Sequence, residues 1–202
     1  FLHEGDTIAI ISPSSATDTA TINGGIRTLE QWGFHVVVGR HALRDYRGFA
    51  GTIKERREDL LWALCDPSVK AIMCSRGGDG AVHLLCDLTP EVFRRYPKLI
   101  IGFSDITALL SAEACAGHLS IHGSMCHAIN TYEGNDTVSQ ALRHMMLGDL
   151  PVYRVPSHPL NQRGRATGML VGGNMSVMHG LAGSDFDPLT LPDIILFVED
   201  TG

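Results

Sequence analysis

Apolar and polar positions fall in alternating blocks along this chain, not residue by residue. Short apolar runs at Thr7–Ile11, 34–38, Val69–Cys74, 99–101 and 118–122 predict strands covered on both faces. Helical patterns lie between them. Residues 18–32 place Ile22, Ile26, Leu29 and Trp32 at helical spacing, and Gly33 ends the run. Thr52 caps a helix over Ile53–Cys65, which Asp66 and Pro67 break. In that helix Leu60, Leu61 and Leu64 are expected inward. Arg56, Arg57, Glu58 and Asp59 are expected to form its solvated side. Further helices are expected over 81–86, from Thr107 onward, and over 137–147. Strands alternating with helices predict an α/β fold with a parallel sheet and helices on both faces.

The pattern then changes. Residues 148–165 carry Pro151, Pro156 and Pro159 with little periodicity and read as a linker. A new unit opens at Gly168, with a short helix expected over 175–181 and a strong strand from Ile194 to Val198, ending in Glu199 and Asp200. The expected organisation is an N-terminal α/β domain over 1–150, a linker over 151–165 and the beginning of a C-terminal domain over 166–202. Because a strand is an unusual last element, further C-terminal material is expected; a removed leader before Phe1 is equally compatible with the sequence.

Composition narrows the classes. The chain has 202 residues, 44% hydrophobic and 19% charged, the profile of a globular protein. Its net charge of −6, without a basic run, disfavours nucleic-acid binding. No apolar stretch approaches membrane-span length, so no membrane partner is expected. The five cysteines form no C-x-x-C pair and read as free thiols of a reducing, cytoplasmic compartment.

The chemistry gathers where the strands end. Leu99, Ile100 and Ile101 lead through Gly102 and Phe103 to Ser104, and a helix follows. A serine at such a corner projects its hydroxyl outward, and the helix start offers amides to a developing oxyanion. The pattern approaches a nucleophile elbow, but Ile106 stands where the second glycine of G-x-S-x-G belongs. An ordinary helix cap by Ser104 or Asp105 is the competing reading. In a parallel sheet, ligands bind at the C-terminal strand edge. The loops predicted there are 12–15, 76–80, 104–105 and 123–124. Arg76, Gly77, Gly78, Asp79 and Gly80 read as an anion cradle, as a source of an oxyanion donor, or as a plain flexible loop. Arg76, at a strand end, reads as a bidentate grip for a substrate carboxylate, or as an ordinary surface arginine, the commoner case. His118 and His122 share a strand face about 13 Å apart, too far for one metal ion, and no metal or cofactor is expected. Glu199 and Asp200 are candidate acids, against the alternative of a solvated strand end. No histidine has an evident claim to be their partner.

Several of these stretches together resemble the LD-carboxypeptidase family of serine peptidases, which includes the microcin-immunity peptidases. The matching pieces run in order: 7–15, 49–52, 76–81, 102–109, 122–125, 171–175 and 195–200. The resemblance implies a flavodoxin-like or amidotransferase-like N-terminal domain, a smaller C-terminal domain and a homodimer. It implies a Ser–His–Glu triad with Ser104 as nucleophile and Glu199 as acid, and the backbone N–H groups of Asp105 and Gly78 as oxyanion donors. Arg76, Gly77 and Ser124 would contact substrate. The triad histidine belongs to a later motif that this sequence does not contain. The implied substrate is a small peptide, the murein tetrapeptide, cut before its terminal D-alanine; the microcin-immunity branch instead cleaves an acyl or peptidyl nucleotide amide. Asp79 stands where an aromatic residue is common in the family, and Ser124 where proline is common. The rival readings are a non-catalytic binder of peptidoglycan fragments and an amidotransferase-like cysteine enzyme. The second is disfavoured because no cysteine sits at the elbow.

Overall fold

A computed structural model describes residues 1–201. Five parallel strands form the central sheet: β1 (Thr7–Ile11), β2 (His35–Val38), β3 (Val69–Cys74), β4 (Leu99–Gly102) and β5 (Ser120–His122), in the order β2-β1-β3-β4-β5. This is the flavodoxin-like doubly wound order. The apolar runs form strands because helices cover both faces. Ile8 and Ile10 point into one core with Ile22, Leu29 and Trp32, whereas Ala9 and Ile11 point into the other with Leu60, Leu64 and Leu109.

The helices begin and end where local chemistry puts them. α1 (Thr19–Gln31) is capped by Asp18, whose carboxylate accepts from Thr21 N–H. α2 (Ile53–Cys65) opens with a reciprocal capping box between Thr52 and Glu55. Three short helices follow, α3 (Val82–Leu85), α4 (Pro90–Arg95) and, after a 3₁₀ turn over Ser104–Ile106, the longer α5 (Thr107–Ala116). α6 (Cys126–Thr131) and α7 (Thr137–Met146) complete this part. The sequence pattern does not predict α4 and α6; each is six residues, too short to show a helical period.

One expectation is overturned. Arg56 and Asp59 are not on a solvated side of α2 but are 2% and 4% exposed. Arg56 Nη1 donates to the carbonyls of Pro13 at 2.6 Å and Gly80 at 3.0 Å, with its guanidinium 4.9 Å from the Phe49 ring. Asp59 accepts the His41 backbone N–H at 2.9 Å. Charge predicts solvent only when no buried backbone group needs that charge as a partner.

Residues 149–165 run exposed, without helix or strand. Beyond them β6 (Met169–Asn174) pairs in parallel with β7 (Ile194–Glu199), flanking α8 (Met175–Leu181) and a 3₁₀ turn over Pro188–Thr190. This ribbon packs on α5. Asn174 N–H donates to Thr107 Oγ1 at 2.9 Å, and Leu181 and Phe186 join the core of Ile100 and Leu109.

α5 holds an unexpected acid. Glu113 is fully buried, neither carboxylate oxygen has a hydrogen-bond partner among the described residues, and burial lifts its pKa to about 9. The folded protein therefore keeps this proton while the unfolded chain loses it near 4.5, so stability falls as pH rises from there to about 9. Glu113→Gln should gain stability over wild type across that window, the difference widening by about 1.4 kcal/mol per pH unit in urea unfolding at pH 5, 6.5 and 8. Arg56→Met should lose about 2–3 kcal/mol in the same measurement, since two buried carbonyls lose a charged donor.

Candidate active site

The C-terminal edge of the sheet is drawn together by buried polar ties. Ser75 Oγ donates to Ser12 Oγ at 2.7 Å, linking the ends of β3 and β1 where the strand order reverses. Asp105, 5% exposed, accepts from Ser14 Oγ at 2.5 Å and from Ala81 N–H at 2.8 Å. One carboxylate oxygen thus pins the loops after β1 and β3 to the turn after β4. The sequence offered Asp105 as a cap or for its amide; the use of its side chain was not legible there.

Ser104 sits in that turn with φ at 61°, a left-handed conformation that serine adopts at a cost. Asp105 and Ile106 are buried behind it and hold it there. Ser104 is half-buried and opens on a cavity of about 210 Å³, shared with Arg76, Gly77, Gly78, Phe103, Met125, His127 and Ala128. Gly77 passes close: a Cβ there would stand 3.2 Å from Ser104 Cβ. Gly78 has φ of 129°, and a Cβ there would fall 2.0 Å from Ser15 Oγ, so only glycine serves this position. Arg76 is exposed at the rim, where its Nη1 reaches the Ala16 carbonyl at 3.4 Å. Ser124 is half-buried in the loop after β5 and does not line this cavity.

The two candidate acids part company. Asp200 accepts from Ser176 Oγ at 2.8 Å and Asn174 Nδ2 at 3.3 Å, and the Ser176 hydroxyl holds its carboxyl below the usual range. It is occupied in joining β7 to the start of α8. Glu199, the next residue back on a strand whose side chains alternate, points the other way. Its Oε1 is buried without a hydrogen-bond partner among the described residues and lies 3.6 Å from His122 Nε2. Ser104 and Glu199 therefore share one edge, since Gly102 at the end of β4 is in register with His122.

The histidines were unassigned in sequence. His127 lines the Ser104 cavity, and His122 stands beside Glu199. The signal for His122 was its place at the end of a strand; strand order alone adds that this strand is the neighbour of β4. No activated thiol is present at this edge. Burial pushes the Cys74 thiol up and that of Cys126 up to about 12. Among the described residues no three His, Cys, Asp or Glu side chains gather as a metal site, and no helix is long and apolar enough to cross a membrane.

Comparison with known proteins identifies the family and the fold. Residues 8–123 match the family model of the LD-carboxypeptidase N-terminal domain. The chain is 33% identical to the murein tetrapeptide carboxypeptidase of Pseudomonas aeruginosa over 207 residues, covering 96% of this chain and 66% of that sequence. It is 28% identical to the microcin C7 self-immunity protein MccF of Escherichia coli, covering 98% and 67%. The crystal structure of an MccF-like protein from Bacillus anthracis superposes with a TM-score of 0.81 at 28% identity, covering 98% of this chain and 68% of that one. The chain spans 63 to 66% of the length of the first curated relatives it matches.

The strained turn makes a test of its own. Ser104→Gly should raise stability by about 1 kcal/mol in thermal or urea unfolding, because glycine adopts φ of 61° freely. Ser104→Ala keeps the strain and should not.

Proposed function

The chain belongs to the LD-carboxypeptidase family, and from that premise we propose that it supplies the nucleophile and the triad acid of a serine hydrolase. The observation that carries this reading is Ser104 held in a left-handed turn on the rim of a cavity, with Glu199 brought to the same edge by a second sheet. Ser104 Oγ attacks the carbonyl carbon of the scissile amide. The N–H groups of Asp105 and Gly78 receive the oxyanion: the first belongs to the opening turn before α5, where amides lack helical partners, and the second to a residue lining the same cavity. The C–N bond then breaks, and the amine leaves with a proton. Water hydrolyses the acyl-enzyme and frees Ser104. Glu199 orients the imidazole that takes the serine proton. That histidine, by the family's pattern, belongs to a motif not present in these 202 residues.

The proposed substrate is the murein tetrapeptide, cut between an L-centre and its terminal D-alanine. Arg76 at the rim suits the free carboxylate of such a peptide, as a planar, always charged partner. The higher identity to the Pseudomonas carboxypeptidase, 33% against 28% for MccF, favours a peptide over a nucleotide amide. Ser104→Ala should abolish D-alanine release and labelling by a serine-directed phosphonate while the fold is kept. Labelling that persists in this variant would rule Ser104 out as nucleophile. Turnover of an aminoacyl sulfamoyl nucleotide in preference to tetrapeptide would move the protein to the microcin branch.

A further inference from the structure

His122 has no role in the reading above, yet it occupies a distinctive place. Its ring lies between two aromatic side chains, 6.1 Å from Phe103 and 5.2 Å from Phe197, the latter edge-on. Phe103 immediately precedes Ser104, and Phe197 lies two residues before Glu199 on β7. The imidazole is therefore wedged between the nucleophile turn and the strand that delivers the acid. Its Nε2 is 3.6 Å from Glu199 Oε1, the oxygen that is buried and lacks a hydrogen-bond partner among the described residues. A buried carboxylate oxygen without a donor is costly. The separation is slightly too long for a hydrogen bond, and a small ring rotation closes it, as such contacts do when a site is loaded.

His122 is poorly placed to be the base itself. The Ser104 cavity is lined by His127 and not by His122. His122 instead borders a neighbouring cavity of about 110 Å³ with Ser111, Leu170 and Phe197. We propose that His122 is a positioning residue, whose Nε2–H holds Glu199 Oε1 so that the other carboxylate oxygen is presented to the catalytic imidazole. This rests on Glu199 being the triad acid. In metal sites the outer hydrogen bonds that orient ligating imidazoles and carboxylates typically cost about 10–100-fold when lost, and an orienting bond to Glu199 is expected to act on the same scale.

The test uses four variants and two readouts. Imidazole ¹⁵N spectra of the Ser104→Ala protein should show His122 as the Nε2–H tautomer, and adding Glu199→Gln should release that preference. In a chain that carries the family's later histidine motif, phosphonate labelling of Ser104 should slow at least about tenfold in His122→Leu, which keeps bulk but no donor, and recover in His122→Gln, whose amide N–H reaches the Nε2 position. A fixed tautomer together with recovery by glutamine supports the proposal. Unchanged labelling in His122→Leu, equal loss in both His122 variants, or a tautomer indifferent to Glu199→Gln overturns it. Failure of the underlying reading looks different: Ser104→Ala would then still label, whatever the spectra show at His122.

Discussion

The site depends on one buried carboxylate. Asp105 is almost without solvent, and its charge is met by the Ser14 hydroxyl and the Ala81 amide instead of by water. Arg56 works in parallel, holding the carbonyls of Pro13 and Gly80 on the same two loops. Between them these side chains convert three connections, each flexible by itself, into one rigid rim. An unpaired buried charge is expensive, so all partners are held or none is. This all-or-none character makes the rim well defined.

The rigidity is used to hold strain. Ser104 adopts a backbone conformation that serine avoids, and it remains there because the two residues that follow it are committed: Asp105 by its hydrogen bonds, Ile106 by burial in the core. Such strain is stable only where the surroundings over-determine it. The glycine loop passes close to Ser104, leaving no room for a side chain at Gly77 without a shift of its neighbour.

Glu199 arrives by a different route. The β6–β7 ribbon lies outside the central sheet and docks on α5 through the Asn174 amide and Thr107 hydroxyl, one turn beyond Ser104. Since the ribbon and the Ser104 turn both rest on the first turn of α5, the distance between Glu199 and Ser104 is set by that helix. The same helix tolerates Glu113 in its buried face as a neutral acid, so its stability is sensitive to pH although its outer surface is not the cause.

From the residues alone one reads the alternation of strand and helix, the caps at Asp18 and Thr52, the strand-to-helix corner at Ser104 and the string of motifs that identifies the family. These are local properties, encoded in periodicity and in side chains that satisfy nearby backbone groups. The short helices over Pro90–Arg95 and Cys126–Thr131 were not legible, because six residues hold too few turns for a period. Nor were the burial of Arg56 and Asp59, the engagement of Asp200 with Ser176, or the placing of His122 beside Glu199. Each of these is settled by a partner far away in the chain: Pro13 and Gly80 for Arg56, His41 for Asp59, Ser176 for Asp200, Phe197 for His122. A polar side chain in sequence declares what bonds it is able to make. Only the packed strand order decides which groups come within reach, and so which of those bonds are made.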